Sequence, residues 1–312
     1  MTSFKNILVA TDTRLDTHTI VDEAALIAHS EEASLTIVDV VPEFPWVVRM
    51  ALREHQTIRD LVVSQRSEQL EKLAAPLRTQ GIRVTTKVLR GRTSVEIIRQ
   101  VLRDKHDLVF RVARGKDSRR KGYFGNTGLR LLRDCPCAVW LAPPAPSPLY
   151  RHVMACVDTA SDDPLDAELN TKVYQAAEFV SRQHHSRLSV VHAWSIFGEE
   201  FLFTRTKMEN FEALQRDVYE RTRSLLDKFL QLHGSSVDDR NTRMLKGAAT
   251  DAIPAFASQE SVDLIVMGTA ARSGAAGWVM GNTAEQILNS IQCSVLALKP
   301  DDFVCPILLP AS

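Results

Sequence analysis

The chain has 312 residues, of which 38 are basic and 38 acidic, so its formal net charge is zero. This balance gives no reason to expect a nucleic-acid or membrane-surface partner, and no apolar run is long enough to predict a membrane span. The length favours two domains of roughly 150 residues each. Five cysteines, an odd number, favour reduced thiols and a cytoplasmic location.

The chain begins with an apolar strand, residues 5–12, that ends on Asp12. A later segment, residues 151–158, repeats the pattern and ends on Asp158. Since α/β folds bind ligands beyond the carboxyl ends of their strands, each carboxylate is a candidate acceptor of ligand hydrogen bonds. The alternative is a loop or helix-cap aspartate.

The second strand of each half is predicted at residues 34–41 and 187–194. The residues that end these strands, Val41 and Trp194, are further candidate ligand-binding residues at the same edge. His192 is interpreted as a packed strand histidine rather than a catalytic base, because no Ser or Cys in a nucleophile setting accompanies it.

Long helical inserts follow at residues 42–80 and 195–234, and their apolar stripes favour helices that face the core. In the second insert the predicted buried face consists of Phe211, Leu214, Val218, Leu225, Phe229 and Leu232. Large apolar residues also collect where each insert leaves the sheet. They form a candidate apolar pocket or partner surface: Trp46, Val47, Met50, Phe197, Phe201 and Phe203.

Each half closes with a strand, a loop, a helix and a final strand. In the second half we predict a strand at 264–267, a glycine-bearing loop at 268–281, a helix that Asn282 opens, and a strand at 294–298. The first half repeats this order at a constant spacing, with Gly-Asn-Thr in both. The chain is therefore predicted to contain two copies of one domain.

The predicted fold class is α/β, with two tandem doubly wound domains, 1–146 and 147–312, each built on a parallel five-stranded sheet. A proline-rich linker, residues 143–148, separates them. The closing strands are apolar and would otherwise be exposed, so the two domains are expected to pair within the chain through residues 137–141 and 294–298.

The ordered motifs resemble the universal stress protein superfamily, and within it the tandem-domain type. They are ILVATD and VMACVD at the two starts, HAW, DLIVMGT, GNTAE, and the closing CPCAVWLAP and QCSVLALKP. The resemblance covers about residues 4–305. It implies the adenine nucleotide alpha hydrolase-like fold and a role in stress resistance.

Family members that bind ATP carry G-x-x-G-x9-G-[ST] at the glycine loop. The second copy has Gly268, Ala271, Gly281 and Asn282 in this frame, so it lacks the second glycine and the final hydroxyl. Asn282 followed by Glu285 also predicts a capping box, which would occupy the N–H groups that a phosphate needs.

The first copy lacks the first glycine and the hydroxyl. Its residues in the same frame are Val112, Gly115, Gly125 and Asn126. Its loop is rich in basic residues, Arg119 and Arg120 among them, so this copy is electrostatically better suited to a phosphorylated ligand. A solvated basic loop is the alternative.

The sequence thus predicts a non-enzymatic cytoplasmic stress-response protein that binds a small-molecule or protein ligand through degenerate ATP-binding loops. No cofactor is assigned, and ATP is expected to bind weakly. No metal is expected either, because the Cys-Pro-Cys at residues 135–137 has no second cysteine pair. Two alternatives remain open: a weak nucleotide sensor or ATP hydrolase that uses the first loop, and a carrier of an apolar ligand.

Overall fold

The computed structural model describes residues 3–43, 55–114, 123–143, 150–161, 163–199, 202–203, 208–273 and 277–310. The chain divides into two compact units. The first contains residues 1–148, 272–279 and 294–312, and the second contains residues 149–271 and 280–293. The predicted boundary near residue 146 lies outside the described residues.

The first unit is built on five parallel strands in the order β3-β2-β1-β4-β5. They are β1 (Asn6–Ala10), β2 (Ser34–Val41), β3 (Arg83–Arg90), β4 (Leu108–Val112) and β5 (Ala138–Ala142). The helices between them are α1 (Thr19–Ser30), α2 (His55–Thr79), α3 (Thr93–Asp104) and α4 (Asn126–Asp134). Because helices connect parallel strands across both faces, the strands are apolar throughout, and Ile7, Leu8 and Val9 are fully buried.

The second unit repeats this order with four parallel strands, β9-β6-β7-β8. They are β6 (His152–Cys156), β7 (Arg187–Trp194), β8 (Thr242–Lys246) and β9 (Leu264–Gly268). Its helices include α5 (Pro164–His184), α6 (Met208–Gln231), α7 (Ala249–Gln259) and α8 (Asn282–Ser290). Asp163 caps α5 by accepting a hydrogen bond from Leu165 N at 3.0 Å, and Pro164 fits the first helical position.

The last strand of the second repeat, β12 (Ser294–Leu298), belongs to the first unit. It pairs with β5 in the antiparallel direction, with Val295 opposite Leu141 and Ala297 opposite Val139. The closing strands of the two repeats therefore pair with each other, which covers the apolar edge that either strand would otherwise expose. The α/β fold with a mostly parallel sheet is confirmed.

The predicted glycine loop at 268–281 is wrong. The chain instead forms two short strands, β10 (Ala270–Ser273) and β11 (Gly277–Met280), which pair as a two-stranded sheet. The loop prediction gave weight to the glycines, whereas Trp278 and Val279 are residues that favour strands.

The predicted apolar face of α6 is wrong in part. Phe211 and Phe229 are buried as expected, but Leu214 is 38% exposed and Leu232 is 84% exposed. The remaining buried positions are Thr222, Leu226 and Leu230. Thr222 was missed because it is polar; its Oγ1 donates to Val218 O at 2.8 Å, so its burial leaves no hydroxyl unpaired. Within the described residues, no helix is both long and apolar enough to cross a bilayer.

Candidate functional site

The carboxyl edge of the first parallel sheet carries an ion-pair cluster around Asp12. This residue follows β1 and is 6% exposed. Arg14 Nε donates to Asp12 Oδ1 at 2.8 Å, and Arg14 Nη2 donates to Oδ2 at 2.7 Å. Arg66 Nη1, from α2, approaches Oδ1 at 3.3 Å. Both oxygens of this candidate ligand-binding carboxylate are therefore already engaged by arginines of the same chain.

Asp39 in β2 is the second carboxylate of the cluster. Its buried Oδ2 accepts hydrogen bonds from Thr13 N at 3.0 Å, Thr13 Oγ1 at 2.7 Å and Arg66 Nη1 at 2.7 Å. Its Oδ1 accepts from Val40 N at 2.7 Å. Because Arg66 reaches both Asp12 and Asp39, it ties the insert helix α2 to the edge where the sequence places a ligand.

The arginines lower the pKa of Asp12. Burial raises the pKa of this carboxyl, but the hydrogen bonds and charge of Arg14, with a further hydrogen bond from Arg66, outweigh burial and lower it from 3.8 to about 2. Arg111 of β4 is a third arginine nearby, and its Nη1 donates to Ala10 O at 3.2 Å. Burial lowers the pKa of Arg111, while the charges of Asp12 and Asp39 oppose that change. Asp12 is thus ionised at neutral pH, and its charge is offset by arginines of the same chain.

The same edge of the second sheet is built differently. Asp158 follows β6 but is exposed, and its Oδ1 accepts a hydrogen bond from Ala160 N at 3.1 Å. Asn170 of α5 holds the backbone: its Oδ1 accepts from Asp158 N at 2.9 Å, and its Nδ2 donates to Asp158 O at 2.6 Å. The second repeat therefore presents to solvent the carboxylate that the first repeat buries.

His192 occupies the position in β7 that corresponds to Asp39 in β2. Its Nδ1 lies 3.3 Å from Thr159 N and 3.1 Å from Val157 O, and the residue is 2% exposed. Burial lowers the pKa of His192, against the opposing charge of Asp158. The side chain thus packs as a neutral ring where the first repeat has a carboxylate.

Val41 and Trp194 end their strands in equivalent glycine turns. Their carbonyl oxygens accept hydrogen bonds from Gly91 N at 3.1 Å and Gly247 N at 2.9 Å. Both glycines have positive φ, 136° and 125°, which side chains disfavour. The side chains of Val41 and Trp194 are buried, and their carbonyl groups anchor these turns.

Gly125 and Gly281 are the N-cap residues of α4 and α8. Their N–H groups donate to Ala113 O at 2.8 Å and to Thr269 O at 3.1 Å. Asn126 and Asn282 are the first helical residues and are exposed. The two helix starts are therefore equivalent in backbone geometry.

The predicted capping box at Asn282 is wrong, because the cap lies one residue earlier. With Gly281 as N-cap, the third helical position is Ala284 rather than Glu285. Glu285 N donates to Gly281 O at 2.9 Å, as in an ordinary first helical turn. Asn282 and Glu285 therefore do not occupy the N-cap and third helical positions that a capping box requires.

Gly268, at the end of β9, packs against α5. A Cβ added to Gly268 would lie 2.6 Å from Leu169 Cδ2, and one added to Gly281 would lie 3.2 Å from Ala271 Cβ. Both glycines thus permit close packing within the protein. The remaining loop candidates, Gly115, Arg119 and Arg120, lie outside the described residues.

The candidate apolar residues of the second insert separate in the structure. Phe203 lines an open groove of about 570 Å³ with Met208 and Phe211, and its ring meets that of Phe211 edge to face at 5.4 Å. Phe197 is 98% exposed and does not line the groove. The other candidates, Trp46, Val47, Met50 and Phe201, lie outside the described residues.

The cysteines offer no cluster of ligands. All five are free thiols, and Cys135 Sγ and Cys137 Sγ are 3.6 Å apart. Burial raises the pKa of Cys156, and it raises that of Cys293 to about 12, so both are protonated thiols at neutral pH. Within the described residues, no group of three or more His, Cys, Asp or Glu side chains could hold a metal ion.

Sequence reasoning missed Arg14 and Arg66, which engage Asp12 and Asp39, and it did not predict that Arg111 is buried in β4. Arg111 could have been found, because a charged residue inside the apolar strand LVFRV requires a buried partner. Arg66 gives no such signal, since α2 is polar along most of its surface. Arg14 lies two residues after Asp12 in a loop, where nothing in the pattern indicates that it turns back on the carboxylate.

A family model described as the universal stress protein family matches residues 3–143 and 149–299. The chain belongs to the universal stress protein family. A relative from Salmonella typhi named universal stress protein E is 26% identical over 99% of this chain and 98% of its own length. One of the same name from Photorhabdus laumondii is 26% identical over 98% of both chains. The tandem-domain type recognised in the sequence is thereby confirmed.

Solved structures share the fold over almost the whole chain. A crystal structure of a functionally unknown protein from Pseudomonas aeruginosa PAO1 matches with a TM-score of 0.75 and 24% identity, covering 96% of this chain and 94% of that one. A universal stress protein from Archaeoglobus fulgidus matches with a TM-score of 0.63 and 16% identity, covering 96% and 98%. At these identities the likeness shows the fold alone.

Proposed function

We propose that this protein is a cytoplasmic stress-response module that acts by binding a ligand or protein partner rather than by turnover, and that its affinity for ATP is weak. The observation that carries the proposal is that side chains of the chain itself already occupy the carboxyl edge of the first sheet. There, Arg14 and Arg66 already engage Asp12, the carboxylate that follows the first strand. Family membership supports the stress-response role.

A ligand that used Asp12 would have to displace these arginines. The side chain of Asp12 is 8% exposed, and that of Arg66 is 14% exposed. Arg66 would keep Asp39 at 2.7 Å, so the cost is mainly that of the two close hydrogen bonds between Arg14 and Asp12, each worth roughly 1.5–3 kcal/mol and less where Arg14, 43% exposed, is screened by solvent. A nucleotide therefore has to supply that free energy before it gains any affinity at this edge.

The second edge has an open carboxylate but a crowded loop. Asp158 is exposed, so it can accept a ligand hydrogen bond. However, Ala271 replaces the second motif glycine, and its Cβ lies 3.2 Å from the point where Gly281 would carry a side chain. A backbone that approaches phosphate needs room at these positions, which favours a ligand other than a nucleoside triphosphate.

Isothermal titration of the full chain with Mg-ATP tests the proposal. We expect a dissociation constant no tighter than roughly the millimolar range, about 4 kcal/mol of binding free energy. The double variant Arg14→Ala with Arg66→Ala removes the arginines that engage Asp12 at the carboxyl edge of the first sheet. Asp158→Ala removes the exposed carboxylate at the same edge of the second sheet. Micromolar ATP binding by the unmodified chain would contradict the proposal, and phosphate release above background would favour the hydrolase alternative.

The groove beside α6 supports a second candidate function, the carriage of an apolar ligand. Phe203, Met208 and Phe211 line it, and burial of one such side chain contributes roughly 1.5–3 kcal/mol. A fluorescent apolar probe should bind the unmodified chain and lose affinity in Phe203→Ser. Phe197→Ser is the matched control, because Phe197 is exposed and outside the groove. Equal binding by the unmodified chain and both variants would remove this candidate.

A further inference from the structure

A polar cleft of about 710 Å³ opens at the amino edge of the second sheet, at the opposite end of the strands from Asp158. Its lining residues come from the end of α5, the start of β7 and the chain that enters β8. They are Ser181, Ser186, Arg187, Leu188, Arg240, Asn241 and Arg243. Three of these seven residues are arginines, and all three belong to the second unit.

The cleft exists because β8 is shorter than its counterpart β3. In the first repeat the pairing of β2 with β3 begins at Ser34, the first residue of β2. In the second repeat the pairing of β7 with β8 begins only at Val190, three residues into β7. The chain before β8 forms turns instead, in which Asp239 Oδ2 accepts from Ser235 Oγ at 2.6 Å. The start of β7 therefore faces open space where β2 faces a strand.

The arginines of the cleft are only partly neutralised. Arg187 pairs with Glu260 at 3.0 Å. Arg243 Nη1 donates to Thr242 O at 2.8 Å, which is a neutral acceptor. Arg240 is exposed and forms neither an ion pair nor a hydrogen bond among the described residues.

The nearby acidic side chains are engaged elsewhere. Asp238 pairs with Arg223 at 2.5 Å, and Asp239 accepts hydrogen bonds from Ser235 and from Ser236 N. Because hydrogen bonds from neutral donors leave Asp239 charged, Asp239 and Glu260 offset two of the three arginines, and the cleft retains an excess of one positive charge. Since guanidinium groups hold phosphate oxygens through paired N–H donors, an arginine-lined concave surface favours a phosphoryl group.

The first repeat shows that the fold does not need these arginines. At the corresponding positions it has Ala28, Ala33, Ser34, Leu35, Val84, Thr85 and Lys87. The only cation among them, Lys87, pairs with Asp104 at 2.5 Å. The first repeat does have one guanidinium at this edge, Arg83, but its Nη2 donates to Glu32 O at 2.8 Å just after α1, whereas Arg240 in the second repeat has no such partner among the described residues.

We propose that this cleft binds the phosphoryl group of a small phosphorylated molecule. Its volume falls within the range of small-ligand sites, and Arg240 and Arg243 provide the charge that such a dianion requires. The inference is independent of the proposed function, which concerns the carboxyl edge of the sheets.

Calorimetric titration of the full chain at low ionic strength tests the cleft with three probes: inorganic phosphate, inorganic pyrophosphate and glycerol 3-phosphate. Each probe that binds the unmodified chain should bind the double variant Arg240→Gln with Arg243→Gln at least about tenfold more weakly. The reason is that each hydrogen bond to a charged group contributes roughly a factor of ten or more. The matched control is Arg216→Gln with Arg221→Gln, which removes the same charge from exposed positions of α6.

Tighter binding of glycerol 3-phosphate than of the inorganic ions would identify a phosphate ester as the ligand class, and the reverse order would identify a free phosphate. The proposal is overturned if no probe binds, if the control variant loses as much affinity as the cleft variant, or if a short single-stranded oligonucleotide binds the cleft more tightly than every small probe. Thermal melting of both variants establishes that they are folded. Arg240→Glu alone provides a second test, because Arg240 is exposed and its replacement disturbs no described contact.

Discussion

The two repeats use the carboxyl edges of their sheets in opposite ways. The first buries Asp12 under Arg14 and Arg66, whereas the second leaves Asp158 exposed. In the neighbouring strand, the first repeat has the carboxylate of Asp39, and the second repeat has the buried neutral ring of His192. The backbone hydrogen bonds around these positions are equivalent, so a shared frame has been kept while its chemistry has changed.

The amino edges of the two sheets also differ, and here the open arginines belong to the second repeat. There the second repeat carries three arginines around an open cleft, and the first carries small or apolar residues with one paired lysine. The first repeat also has Arg83 at this edge, but its guanidinium donates to Glu32 O at 2.8 Å. At the carboxyl edge of the first sheet, Arg14 and Arg66 pair with Asp12 and Asp39. In the second repeat Arg240 and Arg243 remain without an ion pair among the described contacts, which is the arrangement that a ligand can use.

The largest expected effect is that of Asp39→Ala. This change leaves Arg66 without its shortest carboxylate contact and removes the acceptor of Thr13 N, so we expect the free energy of unfolding to fall by about 3–5 kcal/mol. Urea denaturation at pH 7 measures it. His192→Ala in the second repeat is the counterpart, and it should cost only about 1–3 kcal/mol because no buried charge loses its partner. Equal costs would mean that the ion pairs of the first edge contribute little.

Asp12→Asn should have the next largest effect, and that effect should depend on pH. The pKa of Asp12 is lowered in the folded state from 3.8 to about 2, so its ionisation stabilises the fold above pH 3.8 and this contribution is lost as the pH falls towards 2. The shift corresponds to about 2 kcal/mol near neutral pH. The difference in unfolding free energy between the unmodified chain and Asp12→Asn should therefore shrink between about pH 5 and pH 2.

Asp158→Asn is the matched control for this prediction. Because Asp158 is exposed, its replacement should change the free energy of unfolding by no more than about 0.5 kcal/mol at any pH. A difference for Asp12→Asn that stays constant with pH would show that its carboxylate is not held ionised by the arginines.

The fold was predictable because periodicity and repetition both report it. Apolar runs as short as those in residues 5–12 and 151–158 favour strands buried on both faces, and the constant spacing of Gly-Asn-Thr indicates duplication. The β10–β11 hairpin and the true buried face of α6 were not predictable in the same way. Glycine content does not exclude a strand, and the position of Thr222 depends on a hydrogen bond within the helix.

The candidate sites were predictable in position but not in state. The sequence correctly locates Asp12 and Asp158 after the first strand of each repeat, yet nothing in it separates a buried carboxylate from an exposed one. That difference arises from Arg66, which lies far along the chain in α2 and meets Asp12 only through tertiary packing. The cleft of the second repeat was missed for the same reason, because Arg187 and Arg240 come together only where β8 begins late.

The smallest expected effect concerns Gly268, which corresponds to Val112 in the first repeat. If Gly268 serves packing, Gly268→Ala should cost about 1 kcal/mol, because the new methyl group would push against the flexible end of Leu169. In a Leu169→Ala background the same change should cost nothing further, so a double-mutant cycle should give a coupling free energy of about 1 kcal/mol. Additive costs would show that Leu169 is not the constraint. Gly268 would then be a position that a ligand approaches, and Gly268→Ala should weaken ligand binding without lowering stability.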